Sequence, residues 1–305
     1  MRPSGPVGLG GAALGNLYSP VSEEDAEATV AAAWARGVRF FDTAPLYGHG
    51  LSEQRLGRAL APYPRDEVVL CSKVGRVLEP ADDAGDTIFA DVPPLHPRFD
   101  FSARGVEASL TASLDRLGVD RIDVVHVHDP DDHVQQAVTE AYPALARWRD
   151  DAVVGAIGLG TNLPETASAV LDEVHLDWLL LAGRYTLLDR SGADVLDRCA
   201  SLGVPVIAAG VFNSGLLADP TEGAHWFYEP APPEVVARAR RLADACDQHG
   251  VPLAAAAIQL PLRHPAVTLV LPGARSAAEI EADLDLLDVE IPERLWDELD
   301  AASGT

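Results

Sequence analysis

Short runs of β-branched and apolar residues alternate along the chain with longer stretches in which apolar positions recur at helical spacing. The runs read as strands at Val38–Asp42, Val68–Lys73, Ile122–His128, Val154–Gly160, Trp178–Leu181, Val204–Ala208 and Val267–Leu271. Between them, helices are expected at Ser22–Arg36, Ser52–Leu60, Ser102–Leu117, His133–Arg149, Pro164–Glu173, Ala193–Leu202 and Pro233–His249. Ser22 and Ser102 stand where an N-cap belongs, and Asp25 and Glu53 put negative charge into first turns. A strand around Val7–Leu14 and helices at Leu253–Arg263, Ser276–Leu287 and Pro292–Ala302 complete the pattern. Eight strands separated by helices in 305 residues predict an α/β fold of the (β/α)₈ TIM-barrel type, one domain over residues 1–305. An open doubly wound sheet is the alternative. It normally carries G-x-G-x-x-G after its first strand, and Gly8, Gly10, Gly11 and Gly15 lack that spacing ahead of a helix.

Charge and composition narrow the function classes. The formal net charge is −24, spread over the whole length. Such a surface repels phosphate backbones and anionic lipid, so neither nucleic acid nor membrane is an expected partner. No apolar run reaches the length of a membrane span, and the N-terminus lacks the layout of a signal peptide, so a cytoplasmic protein is expected. Cys71, Cys199 and Cys246 lie far apart and make no C-x-x-C pair, which suits a reducing compartment and argues against a zinc knuckle. Lysine occurs once, at Lys73, while the remaining basic side chains other than histidine are all arginine. A lone lysine suggests a position that needs a compact ammonium with a movable pKa. Gly75–Asp100, rich in proline and acids, is the longest irregular piece and reads as a lid or substrate wall on the catalytic face.

The candidate chemistry sits at strand ends. Asp42 closes the second strand, Tyr47 follows in Phe41-Asp42-Thr43-Ala44-Pro45-Leu46-Tyr47-Gly48, Lys73 ends the third strand and His128 the fourth. In a barrel these ends meet at one face, where chemistry is done. A free phenol titrates near 10, too high for acid–base work near neutrality. An ammonium beside it would favour the phenolate, a carboxylate would hold the ammonium, and an imidazole would orient a substrate oxygen. Each residue alone has an ordinary explanation: a buried ion pair, a packed tyrosine, a satisfied histidine. Their coincidence at consecutive strand ends points to catalysis. His126 and His128 face the same side of their strand, as a metal pair would, but the last strand offers no carboxylate to complete a barrel hydrolase site. A non-enzymatic barrel that binds a nicotinamide cofactor is a further rival.

The Asp42/Tyr47 motif, Lys73 and the Asp123…His128 run resemble the tetrad of the aldo-keto reductase superfamily, and the resemblance extends over nearly the full length. It implies Tyr47 as general acid/base, Asp42 and Lys73 as its tuners, His128 as the group orienting substrate, and no metal. Gly158-Leu159-Gly160-Thr161-Asn162 looks like the family segment whose polar pair, here Thr161 and Asn162, holds the nicotinamide carboxamide. Leu271–Ser276, with Gly273 and Arg275, resembles the segment at the adenosine end. His128–Asp132, Ala182–Leu188 and Phe212–Ala218 are similar to a branch of aldose dehydrogenases, which implies cofactor contacts at Ser214, Gly215 and Leu217. Ala182 replaces a glutamine common in the superfamily. Ala209 or Gly210 stands where an aromatic usually stacks on the nicotinamide, so Phe212 is expected to take over. Glu279 and Asp283, one and two turns into the helix after the last strand, imply NAD, with NADP possible through Arg275. Tyr18, Asp129 and Arg184 are the candidate substrate contacts, for oxidation of a free aldose at C1. Pyridoxal and simple aldehydes are the alternatives, and the oligomeric state is left open.

Overall fold

The computed structural model describes residues 5–227 and 229–303; residues 1–4 and 304–305, the ends of the expected domain, lie outside the described residues. The main-sheet strands are β1 (Leu9–Gly10), β2 (Phe40–Asp42), β3 (Val69–Val74), β6 (Ile122–His128), β7 (Val154–Thr161), β8 (Trp178–Ala182), β9 (Val206–Ala209) and β12 (Val267–Leu271). They pair in parallel in that order. The ring closes where Gly8 and Gly10 donate to Val270 and Pro272 across 3.0 and 2.8 Å. Eight parallel strands thus make the expected TIM barrel.

Alternation along each strand separates two apolar layers. Phe40, Cys71, Val124, Trp178, Leu180, Ile207, Leu269 and Leu271 fill the barrel interior. The outward residues Phe41, Leu70, Val125, Val127, Leu159 and Val270 join a larger core with Val30, Leu56, Val106 and Leu110 of the surrounding helices. Strand parity therefore turns Asp42, Lys73, His126 and His128 inward, above an apolar floor. Gly158 and Gly160 face the same space from β7. A Cβ at Gly158 would lie 2.6 Å from His126 Cδ2, and one at Gly160 would lie 3.5 Å from Lys73 Cε. Two missing side chains make room for two polar ones.

The helices follow the expected pattern. Ser22 and Ser102 cap Glu23–Ala35 and Ala103–Leu117, each hydroxyl accepting a backbone N–H at 3.0 Å. The helix expected at His133–Arg149 is interrupted. A 3₁₀ turn at Asp131–His133 leads into Val134–Gln136, a π-turn at Ala137–Ala141 and an α-helix at Tyr142–Asp150. Pro143, which has no N–H to donate, lies two residues past the end of the wide turn.

Two expectations change. The first strand contracts to Leu9–Gly10 because the chain turns into a short 3₁₀ helix at Ala13–Gly15. Gly75–Asp100 is irregular only in part: β4 (Arg76–Pro80) pairs antiparallel with β5 (Leu95–Phe99) to make a two-stranded ribbon, and only 81–94 between them lacks regular structure. Its prolines are tolerated because each strand has one unpaired edge. A smaller hairpin, β10 (His225–Trp226) with β11 (Glu229–Pro230), stands in the loop after β9.

Candidate active site

Lys73 and Asp42, each 1% exposed, form an ion pair at the top of the interior, with Nζ 2.7 Å from Oδ2. Lys73 also donates to the Thr43 carbonyl at 2.9 Å, and Nζ lies 4.6 Å from the Tyr47 ring centroid. The His128 ring meets Tyr47 edge-on at 5.9 Å, and Phe89 from the ribbon tip lies 6.2 Å from Tyr47 on another side. The four predicted catalytic side chains therefore converge. The Tyr47 loop is held by close backbone packing. Gly48 adopts φ +62°, and a Cβ there would sit 2.5 Å from the Gly15 carbonyl oxygen. Behind β3, fully buried Glu53 accepts from Ser72 Oγ and Arg116 Nε, both at 2.6 Å, tying the helix after the loop to the Lys73 strand.

Burial works against the Lys73 ammonium, but Asp42 and Tyr47 beside it outweigh burial and hold its pKa above the ordinary lysine value. Burial raises the Tyr47 phenol, with Lys73 pulling down and Asp42 pushing up. In the protein alone burial wins, so Lys73 does not by itself bring Tyr47 below 10 as its chemistry suggested. Burial and the cations Lys73 and Arg76 hold His128 well below the usual histidine range. It is a neutral imidazole at working pH. His126, the register partner of Lys73 on β6, is likewise neutral, its pKa lowered to about 3 by burial and Lys73, and neither ring nitrogen has a hydrogen-bond partner among the described residues. Among those residues no group of three His, Cys, Asp or Glu side chains is placed to hold a metal ion.

Asp129 adjoins the tetrad in a left-handed conformation, φ +45°, with Oδ2 3.5 Å from His128 Nε2. Burial raises its pKa to about 6 against the pull of Arg76, whose Nη2 reaches Oδ2 at 3.2 Å. Tyr18 lies at the rim, 38% exposed and stacked on His225 at 4.6 Å. Burial raises the Tyr18 phenol, with the Ser214 hydroxyl pulling it back. Arg184 does not present a free guanidinium to substrate. Its Nε donates to the Asn162 carbonyl at 2.6 Å, Nη1 donates to Asp189 at 3.1 Å, and its face covers Phe227 at 3.8 Å.

The candidate cofactor residues lie along the neighbouring strand ends. Thr161 is buried and its hydroxyl accepts from Leu163 N at 3.0 Å, while Asn162 is half-buried. Asn213 and Ser214 adopt φ +47° and +58°, followed by Gly215 at +93°, and Asn213 Oδ1 is buried without a partner among the described residues. Phe212 is partly buried against two apolar clusters. The Leu217 side chain belongs to the core, and its N–H is taken by the Phe212 carbonyl at 3.0 Å. Gly210 has φ +63°, and a Cβ there would approach Gly183 N to 3.0 Å, so the backbone itself disfavours an aromatic at this position. Gly273 is exposed and pairs with Gly10 across the barrel closure. Glu279 is not free: it accepts from Arg275 N and Nη2, both at 2.8 Å, and its own N–H is capped by Ser276. Burial and Glu279 push the neighbouring Asp283 up to about 7.

Arg76 and Phe89 carry no assignment from the sequence, and Glu53 only that of a first-turn charge, because their roles depend on partners far along the chain. Arg76, three residues after Lys73, was the one detectable signal. A cavity of about 600 Å³ lined by Gly155, Trp178, Pro205 and Thr268 opens at the opposite ends of the strands, away from Tyr47.

Residues 6–303 match the Aldo/keto reductase family. The chain is 41% identical over 303 residues to a D-threo-aldose 1-dehydrogenase of Pseudomonas sp, covering 96% of this chain and 92% of that protein. It is also 41% identical over 315 residues to a pyridoxal 4-dehydrogenase of Microbacterium luteolum, covering 95% and 91%. An L-galactose dehydrogenase of Arabidopsis thaliana is 34% identical, covering 91% and 82%. A solved aldo-keto reductase from Bacillus halodurans, in holo form, superposes with a TM-score of 0.78 at 20% identity, over 99% of this chain and 96% of that one. With a full-length family match, a barrel of the same fold and Asp42, Tyr47, Lys73 and His128 gathered at one end of it, the chain belongs to the aldo/keto reductase family and is an oxidoreductase that works with a nicotinamide nucleotide.

Proposed function

We propose that this enzyme, a single barrel domain, oxidises a free aldose at its anomeric carbon to the lactone, with NAD as the preferred cofactor. The carrying observation is a charged mouth beside the reacting groups: Asp129 lies 3.5 Å from His128, whose ring borders Tyr47. Polyhydroxylated substrates need such partners, whereas simple aldehydes are better matched by an apolar wall. The similarity to aldose and galactose dehydrogenases points the same way.

Tyr47 as phenolate takes the C1-hydroxyl proton while the C1–H bond gives up hydride and C1=O forms. Neutral His128 donates a hydrogen bond to the same oxygen and fixes its direction. Lys73 stabilises the phenolate, and Asp42 keeps Lys73 charged and in place. When bound, NAD supplies the hydride acceptor and a positive ring. The unpartnered Asn213 Oδ1 and the half-buried Asn162 fit the need of a nicotinamide nucleotide for polar contacts. The adenosine end favours NAD because Glu279 already occupies the Arg275 fork and Asp283 adds a second acid, both set against a 2′-phosphate.

The test is NADH formation at mildly alkaline pH with L-fucose, L-galactose, D-arabinose, L-xylose, D-glucose and pyridoxal. Turnover of one or more sugars is expected, with NAD favoured over NADP. Silence with every sugar, or turnover of pyridoxal alone, overturns the aldose reading.

A further inference from the structure

Arg76 begins the ribbon strand that leaves the catalytic face just after Lys73, and its backbone is fixed by Ser109 Oγ donating to its carbonyl at 3.0 Å. Its guanidinium carbon lies over the Phe99 ring, 3.9 Å from the centroid. One nitrogen, Nη2, binds Asp129 Oδ2 at 3.2 Å, while Nε is buried with no hydrogen-bond partner among the described residues. The side chains of Arg76 and Asp129 remain 13% and 24% exposed, so the pair borders the mouth rather than being sealed inside the wall. Asp129 Oδ2 also lies 3.5 Å from His128 Nε2, the imidazole that directs the reacting oxygen. A guanidinium only donates and a carboxylate only accepts. A hydroxyl does both.

We propose that Arg76 and Asp129 form a specificity-determining pair that reads the hydroxyl on the carbon next to the reacting carbon, so that the enzyme selects α-hydroxy carbonyls and the corresponding 1,2-diols or hemiacetals. The neighbouring hydroxyl donates to Asp129 and accepts from Arg76 in one geometry. A substrate without that hydroxyl displaces water from both charges and returns no hydrogen bond to either. Sites built around a substrate hydroxyl discriminate strongly against its deoxy analogue for this reason. The inference rests on the proposed aldose chemistry for its physiological substrate, but its test does not require a sugar.

Lactaldehyde and propanal differ only in the α-hydroxyl, and both are assayed as reductions with NADH or NADPH. The wild type is expected to favour lactaldehyde by at least about 100-fold in kcat/KM, short of the roughly 10⁴–10⁵ of fully buried hydroxyl sites because this pair keeps some exposure. Arg76→Met and Asp129→Asn should each bring the ratio below about tenfold, mainly by losing lactaldehyde turnover. Because the ratio is taken within one protein, a reduced folded fraction cancels, and surviving propanal turnover reports an intact tetrad. A wild-type ratio under about threefold overturns the inference, as does a ratio retained in both variants. If the ratio behaves as expected while no aldose is oxidised, the sugar reading falls and the assignment of the pair stands.

Discussion

Lys73 is the one ammonium in a chain whose other side-chain cations, histidine apart, are guanidinium groups, and the structure places it between Asp42 and Tyr47. Lys73→Met should lower turnover by about 10²–10⁴, with cofactor affinity in a binding titration changed far less. Tyr47→Phe should match it, because nothing else near C1 takes the proton. A variant that keeps a tenth of wild-type turnover would remove the residue from this role. The pH profile separates His128 from its neighbour Asp129. His128 stays neutral, so it contributes no ionisation near 6. Asp129, raised to about 6, takes up a proton as pH falls through that value and loses its accepting charge. For an α-hydroxy substrate, kcat/KM should therefore fall on the acid side of about 6, and the limb should vanish in Asp129→Asn. Oxidation should climb with pH on the alkaline side, where Tyr47 becomes phenolate.

At the scale of elements, small residues and buried charges hold the catalytic face in register. Gly158→Ala puts a methyl 2.6 Å from both His126 Cδ2 and the Trp178 carbonyl oxygen, so a strand must move. Overpacking of this kind costs about 1–3 kcal/mol and should show as a lower urea midpoint together with reduced turnover. Glu53 joins the helix Leu51–Leu60 to β3 through Ser72 and to the next helix through Arg116. Glu53→Ala strands a partly buried guanidinium, and a loss of about 3 kcal/mol is expected in the same unfolding measurement. After the last strand, Glu279 closes back on Arg275, and the proposed NAD preference rests on that pair. Glu279→Gln frees Arg275, and the ratio of kcat/KM for NADP to that for NAD should rise by about tenfold. An unchanged ratio would place nucleotide choice elsewhere.

For the whole molecule, a net charge of −24 on a compact barrel is self-repulsive. Salt screens such repulsion, so the melting temperature should rise between low salt and roughly physiological ionic strength, where the Debye length is about 8 Å. No helix among the described residues is long and apolar enough to cross a membrane. The barrel, its strand count and the convergence of Asp42, Tyr47, Lys73 and His128 were legible from the chain alone. Strand period and strand ends are local properties, and parallel topology sends every strand end to the same face. The ribbon at Arg76–Phe99 was not legible, because its pairing joins residues separated by a proline-rich stretch with no strand signal of its own. Arg184 carried the right charge in the right loop, yet tertiary contacts commit it to Asn162 and Asp189, and Glu279, in the helix after the last strand, is taken by Arg275 four residues before it. The height of the Tyr47 pKa was equally hidden, since desolvation is a property of the closed site and overrides the neighbouring cation. What the sequence determined by itself was which groups meet, through periodicity; only the tertiary structure decided which of them remain free to act, because long polar side chains take their partners from whatever the fold brings near.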